Sequence, residues 1–311
     1  MKPSGEGLFI MSHQHNHGAV LPLANVQRAF YIGIGLNLCF VILEALVGLS
    51  IHSLALISDA GHNLADVAAL ALSLLSFRLL KVKSNQVYTY GYRKSTILVA
   101  LLNAVVLLVS IGAIAYEAVH RLFQPQPLPG ISIASVAAIG IIINSISAWL
   151  FLRNGEKEIN VRGAYLHMLA DALLSLGVVV GGVIIYFTHW FWVDPLISIA
   201  LVVFILLGTW NLLRRSIRMS MDAVPENISF SQVKETIKRI EGVKDVHHIH
   251  IWSMSSMENA LTAHIVIDER SSFPETENLK HRIKHELLHL HISHATLEFE
   301  MNSADCETEE I

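Results

Sequence analysis

Long apolar runs separated by short polar loops occupy the first two-thirds of the chain. Six of them, over residues 28–50, 54–79, 95–119, 130–152, 161–187 and 193–214, reach the roughly 20 residues that a helix needs to cross a bilayer core. The first run opens at Arg28 after a polar N-terminus and is followed by five more. That order predicts a membrane span and not a cleaved signal peptide. Near Met219 the periodicity shortens. An amphipathic pattern over 229–241 predicts a helix, and "VHHIHIW" and "ALTAHIVID" read as strands. A second helical pattern covers 275–291, and "ATLEFEM" closes the series. Helix–strand–strand–helix–strand predicts a small α+β domain of ferredoxin-like plan. The expected organisation is a His-containing N-terminal tail (1–27), an α-helical membrane domain of six transmembrane helices (28–218) and a C-terminal domain (219–311).

Composition strengthens the membrane reading. Of 311 residues, 53% are hydrophobic and only 15% charged, against about 25% charged in soluble domains; the mean hydropathy is +0.50. Arg28 precedes the first span. Arg78, Lys81, Lys83, Arg93 and Lys94 flank the second loop, Arg153, Lys157 and Arg162 the fourth, and Arg214, Arg215 and Arg218 follow the last span. The alternate loops hold only Arg121. The positive-inside rule therefore predicts both termini in the cytoplasm. The net charge of −4 gives no signal for nucleic acid. Two cysteines, Cys39 and Cys306, imply no disulfide framework. No P-loop is present, which argues against an ATP-driven pump. The compositional oddity is 17 histidines, nine of them in the C-terminal domain and three, His13, His15 and His17, in "HQHNH".

The candidate chemistry lies inside the spans. "DAGHNLAD" places Asp59, His62 and Asp66 in an otherwise apolar run, and "HMLAD" repeats the His-x-x-x-Asp spacing at His167 and Asp171. Ionisable groups in a membrane cost several kcal/mol, so they face the bundle interior and find partners. Residues i and i+4 share a helix face, so each His neighbours its Asp. If the second and fifth spans meet, two imidazoles and two carboxylates form an N2O2 shell suited to tetrahedral Zn2+. Imidazole shifts the preference from Mg2+ or Ca2+ toward zinc and its neighbours, Cd2+ included. One such pair alone reads equally well as hydrogen-bonded glue between helices; two matching pairs favour metal. Asp59 shares their face and reads as a partner orienting an imidazole or as part of a proton path. Asn37, Glu44, Asn103, Asn144 and Glu117 read as interhelical hydrogen-bonding groups.

Together with "YTYGYRKST", "RGAYLHMLADALLSLGVVVGG", "DPLISIALVVFILLGTWNLL" and "VHHIHIWSM", these motifs resemble the cation diffusion facilitators, most closely their bacterial zinc and cadmium exporters. The resemblance runs from about Arg28 to Met301. It implies a homodimeric, six-span antiporter that moves Zn2+ out of the cytoplasm in exchange for protons, in a bacterial inner membrane. The matching transport-site positions are His62, Asp66, His167 and Asp171. No resident cofactor and no enzymatic activity are implied, with Zn2+ as cargo and as a regulatory ligand of the C-terminal domain. There the matching positions are His247, His264 and Glu300, with His248 and His250 beside the first on alternating strand faces and Glu298 as another acidic candidate. The His-rich loop of many relatives is absent between the fourth and fifth spans, which leaves "HQHNH" as the one loose cluster that could gather metal.

The rival reading comes from "HELLH", His285 to His289, which matches the signature of zinc proteases with Glu286 as the base. A membrane-anchored zinc hydrolase follows from it. The stretch is rich in histidine, which makes a chance match easy, and it lacks the glycine of the extended metzincin pattern.

Overall fold

The structure, a computed structural model, describes residues 23–50, 54–123, 131–155, 158–188 and 193–301. His13, His15, His17 and Cys306 lie outside the described residues, as do the side chains of Asp59, His62 and Glu117. Six long helices come first: α1 Leu23–Ser50, α2 Leu54–Leu79, α3 Ser95–Phe123, α4 Ile131–Gly155, α5 Ile159–Thr188 and α6 Val193–Ser220. Among the described residues, Asn25–Ser50 and Ser95–His120 are long and apolar enough to cross a membrane by length and composition. Each helix overlaps one apolar run of the sequence, and most extend a few residues beyond it.

Two groups of helices emerge from the packing. Phe30, Leu70, Phe77, Phe151, Ala164 and Met168 bury a common core between α1, α2, α4 and α5. Two glycines set how closely α1 and α4 approach. A Cβ on Gly33 would come within 2.9 Å of the Phe151 ring, and one on Gly140 within 2.8 Å of the Phe40 ring. Small residues let membrane helices close in this way where no hydrophobic effect drives them together. The second group is α3 with α6. Ile97, Ala100, Ala104 and Leu107 pack there with Leu212 and Met219, and Ile159 at the start of α5 joins them. Polar links tie helix to helix: Asn63 Nδ2 donates to Glu44 at 2.7 Å, Asn103 Nδ2 to Ser73 at 2.7 Å, and Asn37 Nδ2 to Ser147 at 3.3 Å.

The C-terminal domain follows α6. Helix α7 (Phe230–Lys238) is capped by Ser229, and α8 (Phe273–His289) starts with a capping box of Ser272 and Glu275 with Pro274 in its first turn. The strands are β1 Asp245–Ser253, β2 Asn259–Val266 and β3 Ile292–Glu300. They form one sheet in the order β1-β2-β3, the first pair antiparallel and the second parallel. Among the described residues the sheet has three strands, one fewer than the full ferredoxin-like plan. Gly242, at φ +103°, turns the chain from α7 toward β1. Helix α7 buries Val233 and Ile237, α8 buries Leu279, Ile283 and Leu287, and both share a core with Val246, Ile251, Leu261, Ala263 and Ile265 of the sheet. Alternation then points the intervening strand residues, His264 and Glu300 among them, to the uncovered face.

Candidate metal centres

Helices α2 and α5 meet through side chains at mid-bundle. His167 Nε2 lies 2.7 Å from Asp66 Oδ1 and 3.7 Å from Asp171 Oδ2. One ligand atom from each of the three falls within 4.8 Å of the others. Asp66 and His167 are buried and Asp171 nearly so. The local reason is helix periodicity: His167 and Asp171 are one turn apart on α5, and Met168, next in the chain, is fully buried in the α1/α2/α4/α5 core. His62 lies one turn before Asp66 along α2, as Asp59 does further back, with side chains outside the described residues. Two carboxylates in so dry a place need a positive partner. Besides His167 and Asp171, Leu107, Ile111, Leu174 and Val202 line a small cavity of about 20 Å³, room for about one water.

The sheet builds a second cluster. His247 of β1 and His264 of β2 face each other across the antiparallel ladder, and Glu300 of β3 sits opposite Val266, two residues along from His264. His247 Nε2 is 3.2 Å from Glu300 Oε2, and His264 Nδ1 hydrogen-bonds to Glu300 Oε1. One ligand atom from each of these three lies within 4.8 Å of the others. His264 Nε2 also stands 3.5 Å from Glu298. Simple alternation puts His248 opposite His247, but the structure differs. The β1–β2 register shifts between His247 and His250, and His248 takes φ +47°. This bulge swings the His248 ring to 5.3 Å from His247 and 5.2 Å from His264, measured between centroids. His250 is exposed, paired with Thr262.

"HELLH" folds as the last turns of α8. The rings of His285 and His289 stack edge to face at 4.8 Å, both on the exposed side of the helix. Among the described residues, no group of three metal-ligating side chains includes either of them. The surrounding surface carries Arg239 and Arg282, charges that oppose a cation.

Sequence reasoning missed Thr96, Glu158, Asn160 and the Met254–Glu258 loop, where the two domains meet. The available signal was Glu158, an acid one residue before an apolar helix, where the dipole favours negative charge. Its carboxylate accepts from Val161 N at 2.8 Å and from Asn160 Nδ2 at 3.0 Å, as a helix N-cap.

A long-helix bundle with a carboxylate–imidazole cluster in its interior and a His-lined sheet appended to it is the build of a multi-pass metal transporter. The sequence matches the Cation efflux transmembrane domain over residues 30–219 and the Cation efflux protein cytoplasmic domain over 225–301. The chain belongs to this cation efflux family, the cation diffusion facilitators. It is 36% identical over 292 residues to the "Cadmium, cobalt and zinc/H(+)-K(+) antiporter" of Bacillus subtilis, an alignment covering 93% of this chain and 92% of the relative. It is 37% identical over 295 residues to the "Metal cation efflux system protein CzcD" of Cupriavidus metallidurans (95% and 91%), and 33% over 308 to the "Zinc transporter ZitB" of Escherichia coli (96% and 97%). Membership places the chain among transporters, not enzymes.

Proposed function

We propose that the protein is a proton-coupled exporter of Zn2+, with Cd2+ as a second cargo, working by alternating access through His62, Asp66, His167 and Asp171. The observation that carries the reading is the convergence of Asp66 from α2 with His167 and Asp171 from α5 in the bundle interior. The transport activities named for the relatives support it. We read all six helices as crossing a bacterial inner membrane with both termini cytoplasmic, in a homodimer. The paired carboxylates offset the ion's double charge, and the imidazoles select zinc-like metals over Mg2+.

Coupling follows from the ligand chemistry. Zinc requires ionised carboxylates and neutral imidazoles, so protons and metal compete for the same atoms. A site facing the near-neutral cytoplasm sheds protons and takes metal; facing a more acidic exterior, it gives the metal up. Loaded and protonated sites both keep the buried charge low, and either can change sides. The empty, deprotonated site would bury two bare negative charges, and that cost suppresses leak. In the C-terminal domain, His247, His264 and Glu300, with His248 alongside, form a second site through which cytoplasmic zinc regulates transport.

Zinc uptake into inverted vesicles tests the reading. Alanine at any of the four positions is expected to lower the initial rate by more than about tenfold, in line with the 10–100-fold effects of even outer-shell substitutions. Wild-type rates in both Asp66→Ala and Asp171→Ala would end it. Glu286→Gln is expected to leave uptake unchanged; a loss confined to this variant would revive the hydrolase.

A further inference from the structure

The turn between β1 and β2 is wedged into the end of the helical bundle. Ser255 Oγ accepts from Met257 N at 3.2 Å and Glu258 N at 3.1 Å, while Met254 N donates to Glu258 O at 2.9 Å, which makes Met254–Glu258 a closed, preshaped loop. Its tip touches both helix groups. Met257 packs against the α1/α2/α4/α5 core that contains Phe30, Phe77 and Phe151. Ser256 N donates at 3.0 Å to the hydroxyl of Thr96, a fully buried residue in the first turn of α3. Beneath the loop, Asn160 of α5 donates at 3.0 Å to the Thr96 carbonyl, and Arg93 pairs with Glu258 at the rim.

These contacts add to the direct packing of α3 on α5, through Ile97 with Ile159 and Ile111 with Ala170, an attachment supplied by the other domain. The joint is also incompletely satisfied. Asn160 Oδ1 and Ser95 Oγ are buried without a hydrogen-bond partner among the described residues. Each such atom carries a desolvation cost that water would relieve. A junction held by a few good bonds and burdened by unmet ones suits two alternative states, one closed and one hydrated.

We propose that the Met254–Glu258 loop is a removable staple. It holds the cytoplasmic ends of α3 and α5 together while the metal site is shut off from the cytoplasm, and it must leave for the site to open inward. This role rests on the transport reading above. Its position also gives the regulatory cluster a mechanical output, because His247 and the loop lie at opposite ends of one strand.

The test is a reversible lock in the full chain. Thr96→Cys with Ser256→Cys, in a background with Cys39→Ser and Cys306→Ser, allows a disulfide to fix the staple in place. Oxidation is expected to cut zinc uptake by inverted vesicles at least about tenfold, with recovery on reduction. Undiminished uptake by fully oxidised protein would overturn the staple. A reduced protein that moves no zinc would strike the transport reading instead. Hydrogen exchange on the unmodified full chain, which needs no transport, then decides the staple separately. On Zn2+ addition, segments 93–100, 158–164 and 254–258 are expected to change protection in concert. An unchanged 254–258 beside a changed 158–164 would rule the staple out.

Discussion

Glu158 shows how one side chain reconciles conflicting demands. Burial pushes its carboxyl above the ordinary glutamate value of 4.5, and hydrogen bonds from Val161 and Asn160, with Ser256 alongside, pull the other way without cancelling the shift. A raised value in the folded state means that the fold prefers the protonated acid. The associated stability is complete below the ordinary value and is lost as pH rises through the elevated one. Glu158→Gln should therefore lose less stability than the wild type between pH 5 and pH 8. Thermal unfolding of the detergent-solubilised protein at both values measures the difference; equal slopes would count against an ionisable buried acid. Asp66, His167 and Asp171 were legible in the sequence for a related reason. His167 and Asp171 are spaced by the helix repeat of four, Asp66 stands in the same spacing after His62, and a charge in an apolar run has few roles to play.

Among the elements, β1 holds the clearest departure from what the sequence conveys. Alternation is a rule for an unbroken ladder, and one extra residue between His247 and His250 breaks it. The bulge draws His248 into the cluster and sends His250 to solvent. Which side chains gather in the cluster of the C-terminal domain thus depends on register, a property of the paired strands that no single strand encodes. In protein that lacks residues 1–18 and carries both Asp66→Ala and Asp171→Ala, calorimetry would report zinc binding by this domain. His264→Ala is expected to weaken it by about tenfold or more. His248→Ala should have a smaller effect and His250→Ala none. Equal losses at His248 and His250 would mean that the bulge does not form the site. The boundaries of α7 and α8 were easier to read. Ser229, Ser272 and Pro274 are local punctuation, effective whatever packs around them.

At the level of the whole molecule, apolar runs announced the helix count and the change near Met219 announced a second domain. How the two fit together was out of reach. Thr96, the Glu158–Asn160 pair and Met257 come from three distant stretches of chain, and none carries a periodic or motif signal that points to the others. Only the assembled fold makes them neighbours. The same holds for the divide between α3 with α6 and the remaining four helices, which follows from complementary surfaces and not from any pattern along one helix.

The rings of Phe151 and Phe40, seated on Gly33 and Gly140, bear on how such a molecule can change shape. Each works like a tooth in a notch: α1 cannot slide lengthwise past α4 unless both aromatic rings first lift clear. That pair is therefore geared to travel as a single piece. The alternating access proposed above would then place its moving contacts elsewhere, and the water-sized gap beside His167 and Asp171, between α3, α5 and α6, is where room already exists.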